Sequence, residues 1–139
     1  MLTDEMIIST ARKLRLAGRD IRMRRDRNAS ELGLTSTQAD ALEYVVSNSG
    51  CKIVDLGIGM SVSHQAACKI IDRLVESGLI KVEQSTQDAR AKVLTPTSKG
   101  EGTYSDFIRM GVEVNSDLFS NLEEDEVHEL RILLDKLCR

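Results

Sequence analysis

Proline occurs once in this 139-residue chain and tryptophan never, and aromatic side chains make up only 3% of it. One proline and nine glycines cannot supply the turn signal every roughly 8–12 residues that an all-β sandwich or barrel needs. The three cysteines, Cys51, Cys68 and Cys138, are odd in number and form no Cys-x-x-Cys pair, so a disulfide framework is not expected and a reducing compartment is the default. No apolar run approaches the roughly 18 residues of a membrane span, and the chain does not open with a secretory signal. The expectation is a soluble cytoplasmic protein with no membrane partner. Catalytic signatures are also missing: the two histidines, His64 and His128, lie in different segments, and no P-loop, dinucleotide fingerprint or nucleophile elbow is present. No enzyme is expected, no cofactor and no metal. His64 and Cys68 share a helical i, i+4 spacing, but two ligands do not make a zinc site.

Apolar residues make up 41% of the chain, enough for one modest core, and the length fits one domain spanning residues 1–139. The net charge of −3 conceals a gradient. Residues 1–30 hold eight Lys/Arg against four Asp/Glu, and residues 51–100 seven against five. Residues 101–139 hold four against ten. A local basic face, rather than the total, governs attraction to phosphate.

Helical periodicity dominates. Residues 5–27 carry Ile7, Ala11, Leu14, Gly18 and Ile21 on one stripe with basic residues opposite. "NASELGL" reads as a loop. "TSTQADALEYVVS" opens with Thr35 and Gln38 at capping-box spacing, and Ser49-Gly50 closes it. "CKIVDLGIGM" is a short helix with Ile53, Leu56 and Met60 inward. Ser63 then caps a helix that ends at Gly78, with Ala67, Ile70, Ile71 and Leu74 on its inner face. "LIKVE" and "AKVLT" are strands flanking a polar finger, "QSTQDARAKV", that has neither glycine nor proline. Thr95-Pro96 reads as a cap with an N1 proline, opening a helix to about Phe119. The last helix has an acidic first turn, Glu123 to Glu126, and a stripe of Val127, Leu130, Leu134 and Leu137. The predicted fold is mainly α with a small β-hairpin. Three compact helices followed by a hairpin are the parts of a winged helix-turn-helix, and the finger is its wing.

A helix that enters the major groove presents a polar, short-chained outer face with its N-terminal residues at base edges. Ser61, Ser63, His64, Gln65, Ala66 and Lys69 meet that requirement, and Arg73 flanks them. Gln65 suits adenine and Lys69 suits guanine or a phosphate. In the finger, Asp88 and Arg90 are two apart; on extended chain they share a side, so Asp88 would hold the Arg90 guanidinium for a narrow minor groove. Lys81 and Lys92 are placed to touch the sugar-phosphate backbone. The aromatics Tyr44, Tyr104, Phe107 and Phe119 are expected in the core.

From Leu34 to Gly100, "LTSTQADAL", "DLGIGMSVSHQAACKIIDRLVESGLI", the finger with Asp88 and Arg90, and "LTPTSKG" together resemble the MarR family of winged-helix regulators. The resemblance covers about half the chain in order. It implies a homodimer on a pseudo-palindromic DNA operator, with a repressor role and release by a small-molecule effector held between the dimer arms and the winged domain. It also places the winged core at residues 34–99, the wing at about 80–95, and dimerisation helices at 1–30 and 100–139. The stripes Val127, Leu130, Leu134 and Leu137, and opposite them Ile7, Leu14 and Ile21, are the expected seam. The groove-reading positions fall on Gln65, Ala66 and Lys69, and the wing arginine on Arg90.

The sequence departs from the family pattern at three places. Val82 stands where an arginine is common, Gly57 where alanine is usual, and Ala66 offers only a methyl group. These departures and the acidic total support a rival reading, a protein-interaction module that has lost DNA binding. A third reading is a thiol-based redox sensor acting through Cys68.

Overall fold

A computed structural model describes residues 1–138. The order of elements is α1 (Asp4–Glu31), α2 (Ser36–Ser47), α3 (Ile53–Met60), α4 (His64–Glu76), β1 (Ile80–Gln84), β2 (Lys92–Pro96), α5 (Ser98–Phe119) and α6 (Glu124–Leu137). The expected class, helices with one antiparallel hairpin, is what the chain forms.

The helix boundaries follow from capping chemistry. At α2 the capping box is complete: Gln38 N–H donates to Thr35 Oγ1 at 3.1 Å, and Thr35 N–H donates to the Gln38 side chain at 3.0 Å. Ser63 accepts from Ala66 N–H at 3.1 Å and starts α4 as expected. Gly78, at φ +73°, ends it. Leu79 N–H returns to Leu74 O and Gly78 N–H to Val75 O, a Schellman closure with Leu74 and Leu79 both buried.

Three boundaries differ from the sequence expectation. The segment Asn28–Glu31 is not loop but the last turn of α1, because Asn28 and Ala29 are buried and tertiary packing holds that turn. The stop comes at Gly33, φ +75°, through a second Schellman closure from Gly33 and Leu34 back to Ser30 and Ala29. Cys51 is not helical: it forms a bridge to Leu94 and so lies beside β2, and α3 begins at Ile53. Pro96 is not the first residue of α5 but the end of β2, opposite Ile80, where its missing N–H leaves no gap in the ladder. The cap is Thr97, whose Oγ1 accepts from Gly100 N–H at 3.0 Å and donates to Gly78 O at 2.5 Å.

The core lies between α2, α3, α4 and the hairpin, with Leu42, Val45, Leu56, Ile71, Leu74, Ile80 and Leu94 fully buried. Two glycines are fixed by close approach. A Cβ on Gly100 would sit 1.9 Å from Leu79 O, so α5 crosses the strand entrance only with no side chain there. A Cβ on Gly59 would sit 2.4 Å from the Tyr44 ring. Phe107 is buried and Tyr44 and Tyr104 pack half-buried on the core, as expected, whereas Phe119 is exposed. No helix among the described residues is long and apolar enough to cross a membrane.

The arms are different in kind. α1 packs on α5, and Arg24 donates to Val114 O across that contact. α6 buries none of its residues. Its N-terminus closes on itself, with Glu123 N–H donating to the Glu126 carboxylate at 2.9 Å.

Candidate nucleic-acid interface

The turn between α3 and α4 is set by Ser61, the one non-glycine residue at positive φ among those described (φ 55°). Val62 N–H then bonds Gly57 O at 2.9 Å, which fixes the angle between the helices. The result presents the N-terminal half of α4 outward. Ser61, Ser63, His64, Gln65, Lys69 and Arg73 are exposed and Ala66 is half-buried, while Ala67, Ile71 and Leu74 are buried. The structure thus brings together all the residues the spacing selected for this face.

Gly57 is buried, and a Cβ there would meet Val62 O at 3.4 Å and the Ala67 Cβ at 3.7 Å, ordinary contacts. Glycine is therefore not required for this turn. Among the described residues, Lys69, Arg73, Arg90 and Lys92 make no ion pair, leaving four uncommitted cations on α4 and the wing. Lys81 is committed to Glu83 at 2.9 Å.

The wing resolves how a finger without glycine turns. Side chains replace the positive-φ residues: Ser85 Oγ accepts from Gln87 and Asp88 N–H, each at 3.2 Å. Asp88 Oδ1 accepts from Arg90 N–H at 3.0 Å, an Asx-type bond, and Gln84 donates to Ala89 O and Ala91 O. This corrects the expected role of Asp88. Residues 88–90 are a turn rather than extended strand, so the Asp88 carboxylate shapes the Arg90 backbone instead of holding its guanidinium. Arg90 itself is exposed at the tip.

One feature of the face was not assigned from sequence. A cleft of about 560 Å³ separates the start of α2, at Thr35, Thr37 and Gln38, from Lys69 and Arg73 of α4. Asp72 and Glu76 line it as well, so its two cations are balanced by two carboxylates, and the Thr35 and Gln38 N–H groups are taken up by the capping box.

Cys68 Sγ lies 3.5 Å from His64 Nε2, one turn apart on α4. Among the described residues no third metal-ligating group joins them. Cys51 is half-buried beside Asp55; burial first, and that carboxylate second, push its thiol pKa up from the ordinary value. Cys138 is exposed.

The residues chosen for the dimer seam divide into two groups. Ile7, Leu14 and Leu137 are exposed, at 52%, 40% and 63%. Ile21, Val127, Leu130 and Leu134 are half-buried. Ile21 and Val127 meet across a crevice of about 650 Å³ between α1, α2, α5 and α6, which Phe107 and Phe119 also line.

The profile of the MarR family matches residues 32–91. Over 94 residues the chain is 29% identical to the HTH-type transcriptional regulator BilQ of Clostridium symbiosum, covering 68% of this chain and 65% of that one. The match thus spans just under two-thirds of that relative's length. The fold superposes on a mutant MarR from E. coli crystallised with operator DNA, at TM-score 0.78 and 24% identity over the full length of both chains. It also superposes on the multiple antibiotic-resistance repressor from Listeria monocytogenes, at TM-score 0.68 and 27% identity over 99% of this chain and 95% of that one.

Proposed function

We propose that the chain is a winged helix-turn-helix transcriptional regulator of the MarR family, whose profile matches residues 32–91, and that it binds a pseudo-palindromic DNA operator as a homodimer and represses transcription there. In this reading α4 enters the major groove, with Gln65 and Ala66 at base edges and Lys69 at a base or phosphate. The wing carries Arg90 into the adjacent minor groove, and Lys92 follows the backbone. Arg73, exposed on α4 and outside any ion pair among the described residues, is placed to touch a phosphate. The observation that carries the proposal is the exposed polar outer face of α4, together with four exposed cations, Lys69 and Arg73 on α4 and Arg90 and Lys92 on the wing, that make no ion pair among the described residues.

Dimerisation supplies the second half-site. The apolar stripe of α6 is only partly covered within one chain, with Val127, Leu130 and Leu134 half-buried and Leu137 exposed, and Ile7 and Leu14 of α1 are exposed as well. Interleaving α1, α5 and α6 of two copies would cover both and set the recognition helices about 34 Å apart, one turn of duplex. The crevice between arms and winged core is then the seat for a small-molecule effector, since a shift of the arms there changes that spacing.

The test is fluorescence anisotropy with genomic fragments from beside the coding gene, at low and moderate salt. Binding that is tight at low salt and weakened by Arg90→Ala supports the proposal. No binding at low salt would favour the interaction-module reading, for which the exposed Val82 at the base of the wing is the supporting feature. The contact between Cys68 and His64 supports a redox-sensing variant; there, Cys68→Ser would abolish oxidant sensitivity and leave DNA binding in place.

A further inference from the structure

We infer that the crevice between α1, α2, α5 and α6 selects an apolar molecule ending in an uncharged amide-like group, and discriminates against anions. This rests on the reading of that crevice as an effector seat. Its volume of about 650 Å³ is that of a small-molecule site. Most of its wall is apolar, from Ile21, Phe107, Ile108, Val112, Phe119 and Val127. The chemistry therefore rests on a few polar side chains.

Arg25 is the cation that lines it, and it is already committed. Its guanidinium binds Asp40 at 2.5 Å and Glu43 at 3.0 Å, and lies 4.9 Å from the centre of the Phe107 ring. Two carboxylates against one guanidinium leave a local charge of −1, with Glu43 itself lining the crevice. A carboxylate ligand would have to displace Asp40 or Glu43 from Arg25, or lose its hydration beside them without a partner. Ser116 Oγ is engaged too, donating to Val112 O at 2.6 Å.

What is left unengaged is amide. Asn28 is only 4% exposed and lines the crevice three residues after Arg25 on the same face of α1, and its side chain has no hydrogen-bond partner among the described residues. Across from it, Asn115 Oδ1 is buried and unpartnered. An asparagine amide offers one acceptor and two donor hydrogens. A ligand amide, which both donates and accepts, matches Asn28 with two parallel hydrogen bonds, whereas a carboxylate only accepts.

The experiment is calorimetric titration of the full chain with naphthalene-2-carboxamide and with naphthalene-2-carboxylate, a pair equal in shape and different in charge. The carboxamide is expected to bind at least about tenfold more tightly. Asn28→Leu should weaken the carboxamide and narrow that preference. Glu43→Gln, which leaves Asn28 in place and removes one negative charge, should narrow it from the other side by strengthening the carboxylate. Equal or tighter binding of the carboxylate to the wild type overturns the inference while leaving the crevice a ligand site. A preference unchanged in both variants overturns the assignment to Asn28 and Glu43. If neither probe binds, the inference falls and the effector reading of the crevice falls with it.

Discussion

Replacing Lys69 by glutamine keeps a long polar side chain on α4 and removes only its charge. Lys69 is exposed, makes no ion pair among the described residues, and lines the cleft facing the start of α2. A phosphate contact there releases condensed counterion, contributing about 0.9 to the slope of log K against log salt. A homodimer carries two copies, so Lys69→Gln should make that slope shallower by about 1.8. Between 50 and 200 mM salt, a span of about 0.6 in the logarithm, the wild type should lose about tenfold more affinity than the variant does. Anisotropy titrations of one operator fragment at four salt concentrations measure both slopes. Arg109→Gln is the control: Arg109 is held on α5 by Asp106 and Glu113, and its loss should leave the slope unchanged. Equal slopes for wild type and Lys69→Gln would refute the phosphate contact, and equal affinities as well would remove Lys69 from the interface.

Other outcomes follow from the packing. Gly57→Ala should stabilise the chain by about 0.5–1 kcal/mol in chemical denaturation, because alanine is the better helix former and its Cβ meets only ordinary contacts. Gly100→Ala should cost about 3 kcal/mol, the upper end for overpacking, since its Cβ would collide with the backbone oxygen of Leu79. The raised pKa of Cys51 keeps its thiol protonated as pH rises through the range where an ordinary thiol ionises. At pH 8, alkylation followed by mass spectrometry should therefore find Cys51 the slowest of the three cysteines and exposed Cys138 faster. Leu130→Glu should shift the chain from dimer to monomer in sedimentation velocity while leaving its helical content largely unchanged, as no residue of α6 is fully buried within one copy.

Much of this molecule is determined locally. The capping box at Thr35 and Gln38, the cap at Ser63 and the glycine at Gly78 start and stop helices through bonds between residues at most five apart, so spacing alone exposes them. The outer face of α4 is equally legible: the 3.6-residue period that buries Ala67, Ile71 and Leu74 must turn Gln65 and Lys69 outward. What tertiary structure decided lies where a distant group competes. Asn28 and Ala29 read as loop, yet burial against the rest of the fold keeps them helical. Cys51 left its helix for a bridge to Leu94, a partner 43 residues away, and Thr97 rather than Thr95 caps α5 because its hydroxyl also reaches Gly78 O. Asp88 turned out to shape the wing backbone, since the tip is a turn whose geometry depends on Ser85 and Gln84. The crevice, with Arg25 already claimed by α2 and Asn28 left unpaired, is assembled from four helices, and only their packing could show which polar groups remain free.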